Sequence, residues 1–164
     1  MRHPIRSLLG LAALLLVQAC GFHMQGRQPL PASLVSSRLD AADTQTDFAH
    51  ELRLAMQGSG VRLLREGEPL AKAAQVRIVT DEIEEHVLSV SARNIPTDYE
   101  LIYKVEVQVR ADGKDLLPTE EFSLSRVYSF DETQLLAKER EKDILVQALA
   151  RDLASVVMRR LSAL

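Results

Sequence analysis

The pattern of apolar and polar positions divides the chain into stretches with different periods. Leu8 to Val17 is continuously apolar apart from Gly10. Residues 21–33, GFHMQGRQPLPAS, have no period and are rich in Gly, Pro and Gln, as in a tether. Ser33 to Leu39 predicts a short first strand. Thr44 followed by Asp47 offers a capping box that opens a helix. Phe48, Leu52, Ala55 and Met56 then fall on one helical face, and Gly58 and Gly60 end it. Val61 to Leu64 is a short apolar run before a polar loop containing Gly67 and Pro69.

From Ala74 to Phe130 the period is two. Val76 and Ile78 alternate with polar neighbours. Ile83 and Val87 are odd, whereas Leu88, Val90 and Ala92 are even. This phase flip near His86–Leu88 predicts a bulge or bend. Tyr99 to Arg110 is the cleanest strand, with Leu101, Tyr103, Val105, Val107 and Val109 on one face and charged or amide residues on the other. One face buried and one wet is the signature of a sheet covered on one side. Residues 93–98 and Asp112-Gly113 supply turns. Phe122, Leu124, Tyr128 and Phe130 continue the alternation in a last strand. From Asp131 to Leu161 the period returns to that of a helix, with Leu145, Leu149, Leu153, Val156 and Leu161 on its stripe, and Arg159 and Arg160 complementing its dipole. Helix, consecutive strands, helix predicts an α+β domain over residues 33–164, with helices on one face of an antiparallel or mixed sheet.

The first apolar run belongs to a different object. Arg2 and Arg6 precede it, and Ala19 follows it just before Cys20. That is the layout of a secretory signal over residues 1–19, too short to span a bilayer. A cysteine directly after the cut is what a bacterial lipoprotein requires. Its thiol takes a diacylglyceryl group and its new amino terminus an acyl chain, so residues 20–32 become the tether. Gln18 departs from the small residue usual at its place. The alternatives are an ordinary cleaved signal with a leftover thiol, or an apolar helix that stays. Two or more acyl chains anchor stably, at ~0.8 kcal/mol per buried methylene. Gly21 follows the cysteine in place of the aspartate that retains many lipoproteins in the inner membrane, so delivery to the outer membrane is expected.

Charge narrows the partners. Removing residues 1–19 takes Lys+Arg from 20 to 18 against 23 Asp+Glu, a net charge of −5. A polyanion such as nucleic acid is therefore not an expected partner, and any anionic ligand needs a local basic cluster. With Cys20 the only cysteine, no disulfide and no thiolate metal site can form. About 145 residues suit one core, which Leu, Val, Ile and Ala must fill because Trp is absent.

The candidate chemistry is sparse. Glu82, Glu84 and His86 share a strand face at ligand spacing, but without a fourth ligand they read as a wet face and not a metal site. His50 beside Glu51 is isolated. Gly58-Ser59-Gly60 is too short for a phosphate loop or a nucleophile elbow. Tyr99, Tyr103 and Tyr128 alternate with aliphatics as half-buried strand residues do. No nucleophile–base pair is visible, so the chain is read as no enzyme and as needing no cofactor.

The order of Cys20-Gly21-Phe22-His23, a short strand, a helix ending LRLAMQGSGVRLL, a hairpin through SARNIPTDYEL, and RVYSFDETQLLAKEREKDILVQAL resembles the LptE family. These are lipopolysaccharide-assembly lipoproteins of Gram-negative outer membranes. The resemblance covers the chain after the signal in order and spacing. It implies two helices packed on one face of a mainly antiparallel, about four-stranded sheet. It also implies a non-catalytic plug in the lumen of the outer-membrane β-barrel LptD, which helps the barrel assemble and contacts lipopolysaccharide. The lipid anchor then faces the periplasm. The residues implied in lipopolysaccharide contact are Arg93 in SARN and Lys138 in LLAKE. Arginine suits phosphate through its planar fork. Read without the family, Arg93 is a solvated turn residue, and Lys138 belongs to the balanced run Lys138-Glu139-Arg140-Glu141-Lys142-Asp143. The rival reading from another class is a stand-alone periplasmic ligand-binding or inhibitor lipoprotein; a hydrolytic lipoprotein is a distant third.

Overall fold

The computed structural model describes residues 29–65, 67–69 and 73–164, so Cys20 and most of the tether lie outside the described residues. The elements are β1 (Ser36–Ala41), α1 (Asp47–Gly58), β2 (Arg62–Leu63), β3 (Ala74–Val90), β4 (Pro96–Ala111), β5 (Lys114–Ser129) and α2 (Leu135–Ser162). Short 3-10 turns, Ala32–Leu34 and Glu132–Gln134, precede β1 and α2.

The domain is α+β, with five strands in the order β2-β1-β3-β4-β5. It departs from the expected four-stranded, mainly antiparallel sheet at one edge. β1 runs parallel to both β2 and β3, whereas β3-β4-β5 form an antiparallel meander. α1 lies in the crossover from β1, which delivers the chain back in the same direction. β2 pairs over only two residues, Ser36 with Arg62 and Ser37 with Leu63. That is too short for any alternation to register.

Cap chemistry moves the helix starts. Thr46, not Thr44, caps α1, accepting a hydrogen bond from Ala49 N–H at 3.2 Å. Its hydroxyl also donates to Asp81 Oδ2 on β3, which ties the helix start to the sheet. At the other end Gly60 adopts φ 87, a region that costs other residues their Cβ clearance. The second helix begins at Leu135 and not at Asp131, whose carboxylate accepts from Thr133 N–H at 2.9 Å and holds a 3-10 turn instead. The first strand starts later than Ser33 because Ala32–Leu34 form the other 3-10 turn.

Both helices pack on one sheet face. Leu101, Tyr103, Val105, Val107 and Val109 of β4 are all buried against them, with Val76 and Ile78 of β3 and Leu117 and Phe122 of β5 alongside. From the helices come Phe48, Leu52 and Met56, and Leu149, Leu153, Val157 and Leu161. Leu145 and Val156, expected on the stripe of α2, are only partly buried at the margin.

Register breaks at three places shape the meander. One falls between Val87 and Ser89, where the phase flip predicts it. Another, between Ile78 and Thr80, is silent in the sequence because Val79 fits either phase. In β5, Val107 faces Glu120 but Val109 faces Leu117, so one extra residue is accommodated beside Pro118. That break puts odd Leu117 and even Phe122 on the same buried face.

Leu149→Asp places an unpaired charge where the side chain is 1% exposed. It should cost several kcal/mol, enough to abolish cooperative unfolding or to lower the melting midpoint steeply. A wild-type melting curve for this variant would show that α2 docks by another face.

Candidate functional site

The core occupies one half of the molecule. β1 accompanies β3 only as far as Ile78, so Val79 to Val90 continues with β4 and β5 as a three-stranded arm. The first turns of α2 run along this arm without entering the core, because its buried residues begin at Leu149. Beyond the Ile78/Thr80 break the helix-side face of β3 is carried by odd residues: Asp81 pairs with Val105, Ile83 with Tyr103, Glu85 with Leu101 and Val87 with Tyr99.

At the end of the arm four segments meet. The turn after β3 is closed by Ser91 N–H to Ile95 C=O at 2.8 Å and Asn94 N–H to Ser91 C=O at 2.9 Å, with Asn94 at φ 61. Ser89 on β3 bonds the Asp98 carboxylate and the Thr97 hydroxyl of β4. Hydrogen bonds from Ser89, Ser129 and Thr97 hold the Asp98 carboxyl below its ordinary range. Phe130 N–H donates to Thr97 C=O at 2.8 Å, which fixes the path from β5 into α2.

Beneath the first turns of α2 an aromatic cluster frames a small cavity of about 220 Å³. Tyr99 stacks on Tyr128 at 5.7 Å and meets Phe130 edge-on at 5.6 Å. Lys138 and Lys142, one helical turn apart, both line this cavity together with Glu85. Glu85 accepts from the Tyr128 hydroxyl and the Lys142 ammonium. Burial alone would raise its carboxyl, but these two donors outweigh it and the pKa is lowered. Burial, then the neighbouring Glu85, push the Tyr128 hydroxyl up, so it remains a donor.

The two expected contact residues thus occupy different settings. Lys138 is not a solvated member of a charge run; its side chain is 19% exposed and pairs with Glu141 at 2.8 Å. Arg93 is exposed on the turn. Both stand at the same end of the molecule, yet among the described residues no hydrogen bond or ion pair joins them. Sequence reading passed over Lys142 and Glu85. The signal for Lys142 was its place four residues after Lys138, on the same helical face.

The opposite face of the arm is polar. Glu84 pairs with Lys104 at 3.1 Å and accepts from the His86 ring at 3.1 Å. The His86 hydrogen bond and then the Lys104 pairing lower its pKa. Glu82, Glu84 and His86 do share this face, but the Glu84 carboxylate is already engaged. Large apolar side chains are nevertheless exposed around the arm: Val87, Leu88 and Val90 on β3, Val127 on β5, and Leu135, Leu136 and Ile144 on α2.

Comparison with known proteins places this architecture. A family model described as lipopolysaccharide-assembly, LptE, matches residues 34–161. The LPS-assembly lipoprotein LptE of Yersinia enterocolitica is 26% identical over 162 residues, covering 98% of this chain and 77% of that protein. Its counterpart in Pectobacterium atrosepticum is 24% identical over 161 residues, covering 98% of this chain and 86% of that protein. These relatives are named as assembly lipoproteins, which are not enzymes. The fold matches the solution structure of lipoprotein B from Nitrosomonas europaea at a TM-score of 0.70 and 23% identity, over 87% of this chain and 91% of that one. It also matches the rare lipoprotein B of Shewanella oneidensis at a TM-score of 0.67 and 24% identity, over 78% of this chain and 94% of that one. With the family model spanning the described domain almost from its first element to its last, the chain belongs to the LptE lipopolysaccharide-assembly family.

Proposed function

We propose that this protein is the lipoprotein subunit of the outer-membrane lipopolysaccharide translocon. In this reading it sits as a one-to-one plug in the lumen of an LptD-type β-barrel, aids the assembly of that barrel and touches lipopolysaccharide on its way to the surface. The observation that carries the reading is the family match across residues 34–161. Cys20 carries the lipid and ties the domain to the periplasmic side of the outer membrane through residues 20–32.

Two physical features support it. A barrel lumen is polar, and the uncovered sheet face offers it Glu82, Glu84, His86, Lys104, Ser123 and Ser125. The exposed apolar residues of the arm are more than an isolated monomer needs to leave in water, which favours a partner around the arm. Arg93 and Lys138 lie at the end of that arm, where Arg93 is free to bond a sugar phosphate and Lys138 has Glu141 as its resident partner. A phosphate would take the place of Glu141 as acceptor from the Lys138 ammonium, while the Glu141 carboxylate, 46% exposed, turns to solvent.

Purifying the tagged full chain in mild detergent tests the partner. A large barrel in equal amount is expected; a lone monomer carrying a small ligand would replace this reading with that of a stand-alone binding lipoprotein. Intact mass of the mature amino terminus should show acylated Cys20, and Cys20→Ala should fold normally while losing its own hold on the membrane. An unmodified thiol or a retained signal would refute the anchor.

Reversing Arg93 and Lys138 together to Asp should weaken lipopolysaccharide binding and sensitise cells to large antibiotics. The exposed Arg93 should contribute less than ~1 kcal/mol to stability, whereas Lys138→Asp sets a like charge beside Glu85 and Glu141 and should lower the melting midpoint, so binding is compared on folded protein. Barrel assembly measured in the same variant separates the roles: intact assembly with lost binding supports direct contact, and unchanged binding removes both residues from it.

The Glu85 contacts should also make docking of α2 on the arm pH-dependent. Its carboxyl is lowered in the folded state, so the stabilisation is complete above the ordinary pKa of 4.5 and fades as pH falls below it. Protection factors against hydrogen exchange in residues 135–142 should fall in that range, and Glu85→Gln should already show low protection at neutral pH. Protection unaffected by either change would mean that the aromatic cluster alone holds the helix.

A further inference from the structure

At the other edge of the sheet lies a cleft lined by arginines. β2 stops after Leu63, and the last bond on that side runs from Leu64 N–H to Ser37 C=O at 2.8 Å. Beyond it the edge of β1 from Leu39 to Ala41 opens onto a cleft of about 760 Å³. Three arginines line it from three separate segments: Arg38 from β1, Arg53 from α1 and Arg65 from the loop after β2. Thr44 and Gln57 add a hydroxyl and an amide.

One carboxylate faces these three arginines, and it pairs with Arg38 alone. Asp40 lines the cleft, but its Oδ2 accepts from Gln75 Nε2 at 2.6 Å and its Oδ1 lies 3.1 Å from Arg38 Nε. The latter contact is within ion-pair reach yet out of hydrogen-bond alignment, so Arg38 Nε is buried without an aligned acceptor. Glu68 turns away, to the Arg62 guanidinium and to the Arg65 backbone N–H. The side chains of Arg53 and Arg65 have no hydrogen-bond or ion-pair partner among the described residues. Three guanidinium groups therefore share one concavity on a chain whose net charge is negative. An anion between them relieves the repulsion that Asp40 leaves uncompensated.

We propose that this cleft binds a phosphate group, carried on a lipid headgroup or free in solution, between Arg38, Arg53 and Arg65. The geometry favours phosphate over carboxylate. A planar carboxylate is satisfied by one guanidinium fork, whereas a phosphate presents oxygens in several directions to donors arriving from separate segments. The site is at the β2 edge, separate from Arg93 and Lys138 at the end of the arm, and does not depend on their role.

The test uses the full chain in mild detergent at constant ionic strength. It is titrated with inorganic phosphate, with a short-chain phosphatidylglycerol and with acetate, while NMR follows the arginine Nε–Hε signals. Saturable shifts of Arg38, Arg53 and Arg65 are expected with the phosphate probes, and the tighter of the two identifies the source. The double variant Arg53→Gln, Arg65→Gln should bind at least about tenfold more weakly, as expected for the loss of charge-assisted bonds. Arg93→Gln with Lys138→Gln should bind as wild type. If the double variant fails to fold, Arg65→Gln alone, at an exposed position, must still show the weakening. No saturable shift with either phosphate probe would overturn the proposal. So would unchanged affinity in the folded variants, or acetate binding as tightly as phosphate, which would point to a carboxylate of a protein partner.

Discussion

The break in register at Val79 is the constraint on which the rest of the molecule depends. Before it, even residues of β3 face the helices, and Val76 and Ile78 enter the core. Had that phase continued, Thr80, Glu82, Glu84 and His86 would lie under α1 and α2, and burying unpaired carboxylates there would cost more than the core returns. The extra residue shifts the phase by one. Those polar side chains pass to the open face, where Glu84 finds Lys104 and His86. Asp81 and Glu85 come to the helix side instead, each to a specific partner.

Those partners bind the two helices to the sheet. Asp81 accepts from the hydroxyl of Thr46, which at the same time caps α1. The Tyr103 hydroxyl lies beside it and accepts from Phe48 N–H at 3.2 Å. Burial and Asp81 both push the Tyr103 hydroxyl up, so it stays neutral inside the core. Glu85 does the corresponding work for α2 through Lys142 and Tyr128. Arg126 to Asp152 at 2.6 Å and Arg160 to Glu120 at 2.9 Å continue the line of contacts between β5 and α2. These pairs are part-exposed and add little stability individually, but they fix the rotation of a helix of which only the second half is held by apolar packing.

The resulting shape is a packed body with an arm. The body satisfies the ordinary requirement of two layers around one core. The arm leaves backbone edges on β3 and β5 and several large apolar side chains in water, features that proteins usually cover. In the function proposed above, such a surface is costly alone and becomes favourable inside a complex.

The sequence by itself determined most of the body. Alternation along β4 named five of its six buried residues, all but Ala111 at its end, the stripe of α2 named Leu149, Leu153 and Leu161, and the turn at Asp112-Gly113 followed from residue type. Those features are local, and period and turn chemistry report them directly. The order of motifs also sufficed to recognise the family. What only the tertiary structure decided was non-local. The parallel edge at β1 and β2 involves too few residues to leave a pattern. The cap moved from Thr44 to Thr46 because Asp81, distant in sequence, engages the Thr46 hydroxyl. The break at Val79 was invisible because a valine suits either face. Lys138 reads as solvated from its charged neighbours, and becomes part of an aromatic pocket only once β4 and β5 bring Tyr99 and Tyr128 beneath it. Arg38, Arg53 and Arg65 likewise form a cluster only in space. Side-chain period encodes which face an element buries, whereas the partners met across that face depend on how the elements are assembled.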